Sequence, residues 1–360
     1  MPNILFGRPF VVSRAFMQYI FDEQGNRFID CISNVQHVGH CHPHVVQAIA
    51  TQSSLSTSLI NTLHPSLNTI FYCNSGSEAN DLALQLARDW TGGNDAIVLE
   101  NAYHGHITTA VQLSPYKSEH GPTPDVYRGK YRLSDEELNS PEALRSIGEL
   151  YSKDISVLLE ELNKNGRKLA AFFAEALQSC GGQIIPPPGY FQSVAKEIHD
   201  NGGLMIVDEV QTGFGRVGDT FWAHQLFGHG EEEFIPDILT MGKPMGNGYP
   251  VSAVVTRREI ADKLCGNAEY FNTYGGNPVS CAASLAFYKL LKKSIYCNIQ
   301  NKWEFYIKLR KEYGILLNAD GPFGNVLKFK PPLCFNSDNL ENVIKALDEC
   351  LNELINEKQE

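Results

Sequence analysis

The sequence lacks long hydrophobic runs, paired cysteines and an excess of positive charge. Acidic residues interrupt its most apolar stretches, so no run approaches the roughly 18 residues of a membrane-spanning helix. The nine cysteines are odd in number and include no C-x-x-C pair, which indicates free thiols. Because 41 Asp and Glu outnumber 30 Lys and Arg, the net charge of −11 gives no general attraction to nucleic acid or anionic membranes. A soluble protein with small-molecule chemistry remains.

The 360 residues have the composition of an ordinary globular protein, with 43% hydrophobic and 20% charged residues. From residue 43 onward, short apolar runs alternate with helical patterns, which predicts an α/β fold with a mostly parallel sheet covered on both faces. The predicted strands are 70–73, 96–100, 169–175, 203–209, 237–241 and 250–256. The clearest predicted helices are 77–90 and 190–200.

The two ends of the chain have a different pattern. A turn at 23–26 predicts a hairpin, residues 325–332 predict a strand, and Ser337 or Asp338 is expected to cap a last helix. We therefore expect a large domain at 43–289 and a small α+β domain from 1–42 and 290–360. The first 21 residues carry Arg8 and Arg14 and no acid, a weak transit-peptide signal, so the compartment stays open between mitochondrial matrix and cytoplasm.

Three polar motifs follow predicted strands. Gly76 and Ser77 lie at a strand-to-helix junction, where free N–H groups can hold a phosphate, although a plain helix cap explains the same residues. Asp208, with Gln211 one turn later, ends a strand where open α/β sheets bind ligands; a turn-capping Asp is the alternative. Lys243 follows another strand, where a desolvated lysine can form a Schiff base, although a solvated lysine is the commoner case.

Two further patterns are rejected. Residues 213–218 spell G-x-G-x-x-G, but an acidic loop follows instead of the helix that a dinucleotide site needs. Four histidines, His37, His40, His42 and His44, match no zinc-finger spacing and no cysteine pair follows them, so no metal is predicted.

Taken together, the order and spacing of these motifs resemble the class III aminotransferases, which are pyridoxal-phosphate enzymes of fold type I with a seven-stranded sheet. The resemblance covers nearly the whole chain and implies a homodimer with the active site at the subunit interface. The cofactor-binding residues that it implies are Gly76, Ser77, Tyr103, His104, Asp208, Gln211, Lys243 and Thr273.

Seven of these eight residues have an individual role implied by the resemblance. The backbone at 76–77 would hold the cofactor phosphate, and Tyr103 would stack on the pyridine ring. Asp208 would pair with the ring nitrogen and Gln211 would approach the ring hydroxyl. Lys243 would form the Schiff base, so Lys243 and Asp208 are the expected catalytic pair. Thr273 would contact the phosphate in the neighbouring subunit.

Within this family the chain is most similar to the phospho-lyase branch, whose members act on ethanolamine phosphate and 5-phosphohydroxylysine. An ordinary transaminase of the alanine-glyoxylate type shares every cofactor residue and remains an alternative. Where ornithine-type members have an arginine, this chain has Lys328, which cannot grip a carboxylate with two parallel bonds. Lys328 and Glu175 are therefore the candidates for the substrate end or for an internal ion pair. The stretches that carry the resemblance include CISNVQHVGHCHP, NSGSEANDLALQLAR, SCGGQIIPP, TMGKPMGNGYP and EYFNTYGGNPVSCA.

Compared with that branch the chain is contracted in four places: before Val11, between Gln47 and Phe71, at 115–124 and at 294–314. The last contraction removes part of the small domain. A non-catalytic truncated paralogue is therefore the third hypothesis.

Overall fold

The computed structural model of the chain describes residues 11–32, 37–43, 55–113, 119–217, 220–228, 233–267, 270–291, 312–320, 326–332 and 335–356. In this part of the chain no helix is long and apolar enough to cross a membrane. The strands are β1 (Val12–Phe16), β2 (Tyr19–Asp22), β3 (Arg27–Asp30), β4 (Thr69–Cys73), β5 (Asp95–Leu99), β6 (Glu119–Gly121), β7 (Leu169–Glu175), β8 (Leu204–Asp208), β9 (Ile238–Met241), β10 (Ser252–Thr256), β11 (Ile315–Leu316), β12 (Asn318–Asp320) and β13 (Val326–Lys328). The helices are α1 (Ser56–Ile60), α2 (Gly76–Thr91), α3 (Thr108–Gln112), α4 (Pro141–Lys164), α5 (Tyr190–Asp200), α6 (Arg258–Asn267), α7 (Pro278–Leu291) and α8 (Ser337–Asn356).

A seven-stranded sheet is the centre of the fold, with strand order β4-β10-β9-β8-β7-β5-β6. The pairs from β9 to β6 are parallel, whereas β10 runs antiparallel to both of its neighbours. The register aligns Glu175, Asp208 and Thr240 in one row across β7, β8 and β9. Two acidic side chains therefore lie side by side at the carboxyl edge of the sheet.

Both faces of this sheet are covered, as its continuous apolar strands predict. In β7 the side chain of Phe172 belongs to one buried cluster and that of Phe173 to another, because successive strand residues point to opposite faces. Helices α4 and α5 contribute to the first cluster, and α2 and α6 to the second. This three-layer arrangement confirms the predicted α/β class with a mostly parallel sheet.

A second, four-stranded sheet has the order β1-β2-β3-β11. The predicted hairpin is confirmed: β2 and β3 pair antiparallel, and Asp22 accepts backbone N–H bonds from Gln24 and Asn26 in the turn. Helix α8 packs its apolar face, which includes Val343 and Leu347, into a separate small core. The proposed division into domains at 43–289, 1–42 and 290–360 stays a prediction.

The predicted elements agree with the structure to within a few residues. The runs 203–209 and 250–256 become strands at 204–208 and 252–256, and 190–200 is a helix over that full range. The last helix begins at Ser337, but the expected cap is wrong: Ser337 and Asp338 are its first two residues, and the cap is Asn336, whose Oδ1 accepts from the N–H of Asn339 at 2.9 Å. The cysteines that the structure describes as free thiols are Cys31, Cys41, Cys73, Cys180, Cys281 and Cys350.

Candidate active site

A cavity of about 120 Å³ lies at the carboxyl edge of the large sheet. Open α/β sheets bind ligands beyond the carboxyl ends of their strands, so the position is the expected one. Seven of the eight residues predicted to bind a cofactor line this carboxyl-edge cavity. Its lining residues are Gly76, Ser77, Asn80, Tyr103, His104, Gly105, Glu175, Asp208, Val210, Gln211 and Lys243.

The N-terminus of helix α2 forms one wall of the cavity. Ser75 is the N-cap and accepts a bond from the backbone N–H of Glu78, whose carboxylate in turn accepts from the N–H of Asn74. The first N–H groups of a helix have no partner within the helix, so those of Gly76 and Ser77 remain available to an anion at the positive end of the helix dipole. The Ser75 cap therefore leaves room for an anion at the N-terminus of α2.

Asp208 is buried at the end of β8 and accepts three hydrogen bonds. Its Oδ2 accepts from Nδ2 of Asn80 at 2.7 Å and from Nδ1 of His104 at 2.9 Å, and its Oδ1 accepts from the N–H of Val210 at 2.9 Å. These three donors come from three different segments of the chain. They hold the Asp208 side chain in one position at the wall of the cavity.

His104 and Asn80 hold this carboxylate and each retain an unused polar atom. Because a carboxylate oxygen accepts, Nδ1 of His104 carries a proton and donates it to Asp208. In the described part of the chain, Nε2 of His104 and Oδ1 of Asn80 are buried and have no hydrogen-bond partner. The His104 ring also packs on Phe173, with ring centroids 4.5 Å apart. These contacts leave His104 one orientation.

Glu175 is the second buried carboxyl group on the cavity. Its Oε1 accepts from the N–H of Tyr103 at 3.1 Å, and its Oε2 accepts from the N–H of Ser179 at 2.9 Å. Burial raises the pKa of Glu175 above its ordinary value; Asp208 adds to the rise, while His104 and the two N–H groups oppose it. The burial term is the largest, so this carboxyl group takes up a proton more readily than a solvated one.

Lys243 is half-buried just after β9 and lines the same cavity as Asp208. The loop that carries it is anchored by Asn247, whose amide donates to the carbonyl of Gly39 at 2.7 Å and accepts from the N–H of Val38 at 2.8 Å. A lysine on a held loop at a strand end can meet an aldehyde in the cavity. The structure thus brings together the two residues on which the sequence prediction depends.

The remaining predicted residues lie in different places. Tyr103 is 46% exposed at the cavity and offers an aromatic face. Thr273 is exposed on the segment before α7 and does not line the cavity of this chain. Lys328 lies in β13, but its side chain is outside the described part of the structure, so its pairing with Glu175 stays a prediction.

Sequence reasoning missed Asn80 and Ser179. Asn80 lies on the buried face of α2, three, four and seven residues before Ala83, Leu84 and Ala87. A polar residue at a core position of an amphipathic helix was the available signal. Ser179 gave no such signal, because its contacts come from distant parts of the chain.

The rejected zinc pattern is explained by other contacts. His37 is hydrogen-bonded to the carbonyl of Phe214 and to Arg216, and His40 is paired with Asp30. No group of three or more His, Cys, Asp or Glu side chains in the described ranges is placed to hold a metal ion. His44 lies outside those ranges.

The donor set of the cavity fits pyridoxal 5'-phosphate. It offers an amine for an aldehyde, a carboxylate for a protonated ring nitrogen, an aromatic face, and a helix N-terminus for a phosphate. A family model described as aminotransferase class-III matches residues 7–310 of the chain.

The chain belongs to the class III aminotransferase family. It is an enzyme of this pyridoxal-phosphate-dependent family, and the predicted cofactor and fold type are confirmed. One relative, ethanolamine-phosphate phospho-lyase homolog 1 of Caenorhabditis elegans, is 50% identical over 95% of this chain and 88% of its own. A second, the alanine–glyoxylate aminotransferase 2-like protein of Drosophila melanogaster, is 39% identical over 97% of this chain and 84% of its own.

Solved structures of the family have the same fold. A phospholyase from Arthrobacter in complex with phosphoethanolamine superposes with a TM-score of 0.82 at 27% identity, covering 96% of this chain and 95% of that one. An omega-transaminase from Thermomicrobium roseum, at 22% identity and a TM-score of 0.77, shares the fold. The alignment with the Caenorhabditis class III relative is 417 positions long, so that relative has segments that the 360 residues here lack.

Proposed function

We propose that this class III enzyme is a phospho-lyase, which removes ammonia and phosphate from a small molecule with an amine and a phosphate ester on adjacent carbons. The observation that carries the proposal is that Lys243 and Asp208 line one cavity with the N-terminus of α2. The names of the Caenorhabditis and Arthrobacter relatives support the substrate class. Ethanolamine phosphate and 5-phosphohydroxylysine both have the required grouping.

The cofactor would be held by residues of four elements. The N–H groups of Gly76 and Ser77 would bind its phosphate, because they are unpaired donors at the positive end of α2. Asp208 would pair with the ring nitrogen, since three donors hold its side chain in place. Gln211 would approach the ring hydroxyl and Tyr103 would stack on the ring, while His104 would act by positioning Asp208.

In the proposed reaction Lys243 is both the cofactor's attachment point and the base. Pyridoxal 5'-phosphate, when bound, supplies an aldehyde for the substrate amine and a ring that accepts electrons. Nζ of Lys243 would take the proton from the amine-bearing carbon of the substrate. The C–O bond on the next carbon then breaks, and phosphate leaves with the bonding electrons. One water molecule is consumed to give an aldehyde and ammonia.

Glu175 and Lys328 are the proposed residues at the substrate end. Glu175 lines the cavity beside Asp208, and burial raises its pKa, so it can offer a proton or a reduced negative charge to an anionic substrate. A phosphate ester needs a cation near it, which is the role proposed for Lys328.

We also propose that the enzyme acts as a homodimer. Phe271 and Tyr274 flank Thr273 and are 81% and 70% exposed, and large exposed aromatic side chains mark interaction surfaces. Asn272 ties this segment to the anion-binding end of α2, because its amide donates to the Glu78 carboxylate at 2.8 Å. Burial of these aromatics against a second copy would place Thr273 near the partner's cofactor.

The proposed compartment is the mitochondrial matrix or the cytoplasm. The alanine–glyoxylate aminotransferase 2 relative from Homo sapiens, 32% identical over 88% of this chain, is named as mitochondrial. Fractionation of cells that express the tagged full chain distinguishes the two.

The deciding experiment measures inorganic phosphate released by the purified full chain loaded with pyridoxal phosphate. We expect release from ethanolamine phosphate or 5-phosphohydroxylysine without any keto acid. Lys243→Ala should abolish both the release and the visible absorbance band, whereas Lys196→Ala, which removes an exposed lysine on α5, should change neither.

Two other results would each replace the proposal. A requirement for a keto acid, with no phosphate released, would show a transaminase, the activity for which two relatives are named. A protein that binds no cofactor and gives no visible band would be the non-catalytic paralogue. That hypothesis is based on the segments that the Caenorhabditis relative has and this chain lacks.

A further inference from the structure

Lys330 is a buried cation that sequence reasoning did not select. It follows β13, is 4% exposed, and its Nζ lies 2.6 Å from Oγ of Ser179, a residue 151 positions earlier in the chain. Ser179 is fully buried and contacts two residues of the carboxyl-edge cavity: its N–H donates to Glu175, and its Oγ lies 3.3 Å from Oε1 of Gln211. Lys330 is thus one side chain away from the cavity.

The hydrogen bonds of Ser179 have only one consistent direction. A lysine ammonium only donates, so Ser179 Oγ accepts from Lys330. Nε2 of Gln183 also donates to this oxygen at 3.3 Å, and its orientation is fixed because it donates to the Ser179 backbone carbonyl as well. A hydroxyl has two acceptor positions and one proton, so the proton of Ser179 is directed to Gln211.

The direction of the Ser179 hydroxyl proton decides which end of the Gln211 amide faces Ser179. Its Oε1 is occupied by the Ser179 hydroxyl, while its Nε2 lies on the side of Cys180, whose Sγ accepts at 3.7 Å. Without Lys330, the Ser179 hydroxyl could rotate and accept from Gln211, which would allow the amide to reverse. The buried ammonium removes that choice.

We propose that Lys330 and Ser179 are positioning residues, which hold Oε1 of Gln211 on the Ser179 hydroxyl, so that the amide N–H₂ group is the end of Gln211 that stabilises negative charge on an oxygen of the bound cofactor. The proposal rests on the proposed function, which places the ring hydroxyl of the cofactor at Gln211. Lys330 and Ser179 do not line the cavity themselves and act through Gln211. A charge-assisted hydrogen bond is about twice as strong as a neutral one, so the effect on an ionised oxygen should be measurable.

A second set of contacts fixes the position of Lys330. The carbonyl of Pro331 accepts from Nη1 of Arg216 at 2.9 Å, and Nη2 of Arg216 contacts Nδ1 of His37. Nε2 of His37 bonds to the carbonyl of Phe214, so that ring carries its proton on Nε2 and accepts from the arginine. Burial lowers the pKa of His37 well below its ordinary value, and Arg216 adds to the decrease, so the ring stays neutral. The segment that carries Lys330 is therefore clamped to the loop that follows Gln211.

The test is a pH titration of the visible absorbance band of the cofactor-loaded enzyme, which needs no turnover. We expect Lys330→Met and Ser179→Ala each to raise the apparent pKa of the band by about one pH unit, a tenfold change, because the ionised oxygen loses an ordered donor. Lys330→Arg, also a donor-only side chain, should restore most of the wild-type value. Lys345→Met removes an exposed lysine of α8 and should leave the titration unchanged.

The variants distinguish the hydrogen-bonded relay, which runs from Lys330 through Ser179 to Gln211, from a direct effect of the Lys330 charge on the cofactor. Ser179→Ala retains the Lys330 charge and all the titratable groups on the cavity, which are Tyr103, His104, Glu175, Asp208 and Lys243. A shift in Lys330→Met alone would mean a through-space charge effect and would overturn the relay, as would wild-type titrations in both variants. If Lys330→Met does not fold, Ser179→Ala decides. A wild-type protein without a visible band would refute the proposed function itself, whereas a band with unshifted variants refutes only this inference.

Discussion

Gly76 offers the sharpest test of the proposed phosphate-binding site at the N-terminus of α2. A Cβ added at Gly76 would lie 2.6 Å from Cγ1 and 3.0 Å from Cγ2 of Val210, with Cβ of Val210 at 3.4 Å. Carbon atoms in contact prefer about 3.5–4.0 Å, so Val210 would have to move by about 1 Å. A change of the χ1 rotamer of Val210 cannot relieve this overlap, because any staggered rotamer leaves a methyl group in at least one of the two overlapping positions. The backbone N–H of Val210 bonds to Asp208, so the displacement reaches the Asp208 carboxylate.

The magnitude follows from a matched substitution. Gly266→Ala lies in helix α6 with nothing within 4 Å of the added methyl, so it gains only the helix preference of alanine, up to about 1 kcal/mol. Gly76→Ala has the same chemical change plus the overlap, which costs about 1–3 kcal/mol in a packed site. We expect the free energies of unfolding of the two variants to differ by about 1–3 kcal/mol.

The assay combines urea unfolding of the apoprotein with titration of pyridoxal phosphate by its absorbance. The dissociation constant of Gly76→Ala should rise by about tenfold or more, since 1.4 kcal/mol corresponds to a factor of about ten. Adding Val210→Ala should recover part of both losses, because neighbouring substitutions that share one overlap are not additive. The reasoning would be refuted by a Gly76→Ala protein that is as stable as Gly266→Ala and binds cofactor like the wild type.

Three further predictions concern other contacts. Asp208→Ala should weaken cofactor retention far more than Gln211→Ala, because a charge-assisted bond in a dry cavity exceeds a neutral one; equal dissociation constants would contradict this assignment. Glu175→Gln should lower the free energy of unfolding at neutral pH by about 1–3 kcal/mol, because one amide N–H₂ must oppose a backbone N–H that now donates to a carboxylate oxygen; urea curves that match the wild type would argue against it. His199 has its pKa raised by the buried Asp237, so its stabilising effect is full below the ordinary pKa near 6.5 and is lost as pH rises through the raised value. His199→Gln should therefore lose more stability at pH 6 than at pH 9, by less than about 1 kcal/mol because the ring is partly exposed, and an equal loss at both pH values would disprove the linkage.

Much of the fold was predictable because its signals are local. The strand β7 has an unbroken apolar run, and such runs identify strands buried on two faces wherever they occur. The end of α2 is equally local: Gly92 ends it in the left-handed conformation, with φ of +66°, which favours glycine.

The site was predictable in part for a topological reason. Asp208 is the last residue of β8, and Lys243 follows β9. The carboxyl ends of parallel strands meet at one edge of the sheet. Their placement at one cavity thus required only the assignment of β8 and β9 as neighbouring parallel strands. Thr273 carried a resemblance but no local signal, and in the single chain it does not line the cavity.

Two lysines at the end of β13 and just after it could not be distinguished from the sequence. Lys328 and Lys330 are two residues apart, so in an extended segment they share a face and periodicity does not distinguish them. The choice of Lys330 as the partner of Ser179 depends on how the segment after β13 meets the large sheet. That packing joins residues 151 positions apart.

The sequence by itself determined most strands of the large sheet, that Asp208 ends one strand and Lys243 follows another, and to which family the chain is similar, because periodicity, turn residues and motif order are properties of neighbouring residues. Only the tertiary structure decided that Asn80 and His104 hold the Asp208 carboxylate, that Gly76 must lack a side chain beside Val210, and that Lys330 reaches Ser179. These contacts join distant segments, and hydrogen-bond partners and close approaches arise only when packing brings such segments within a few ångströms.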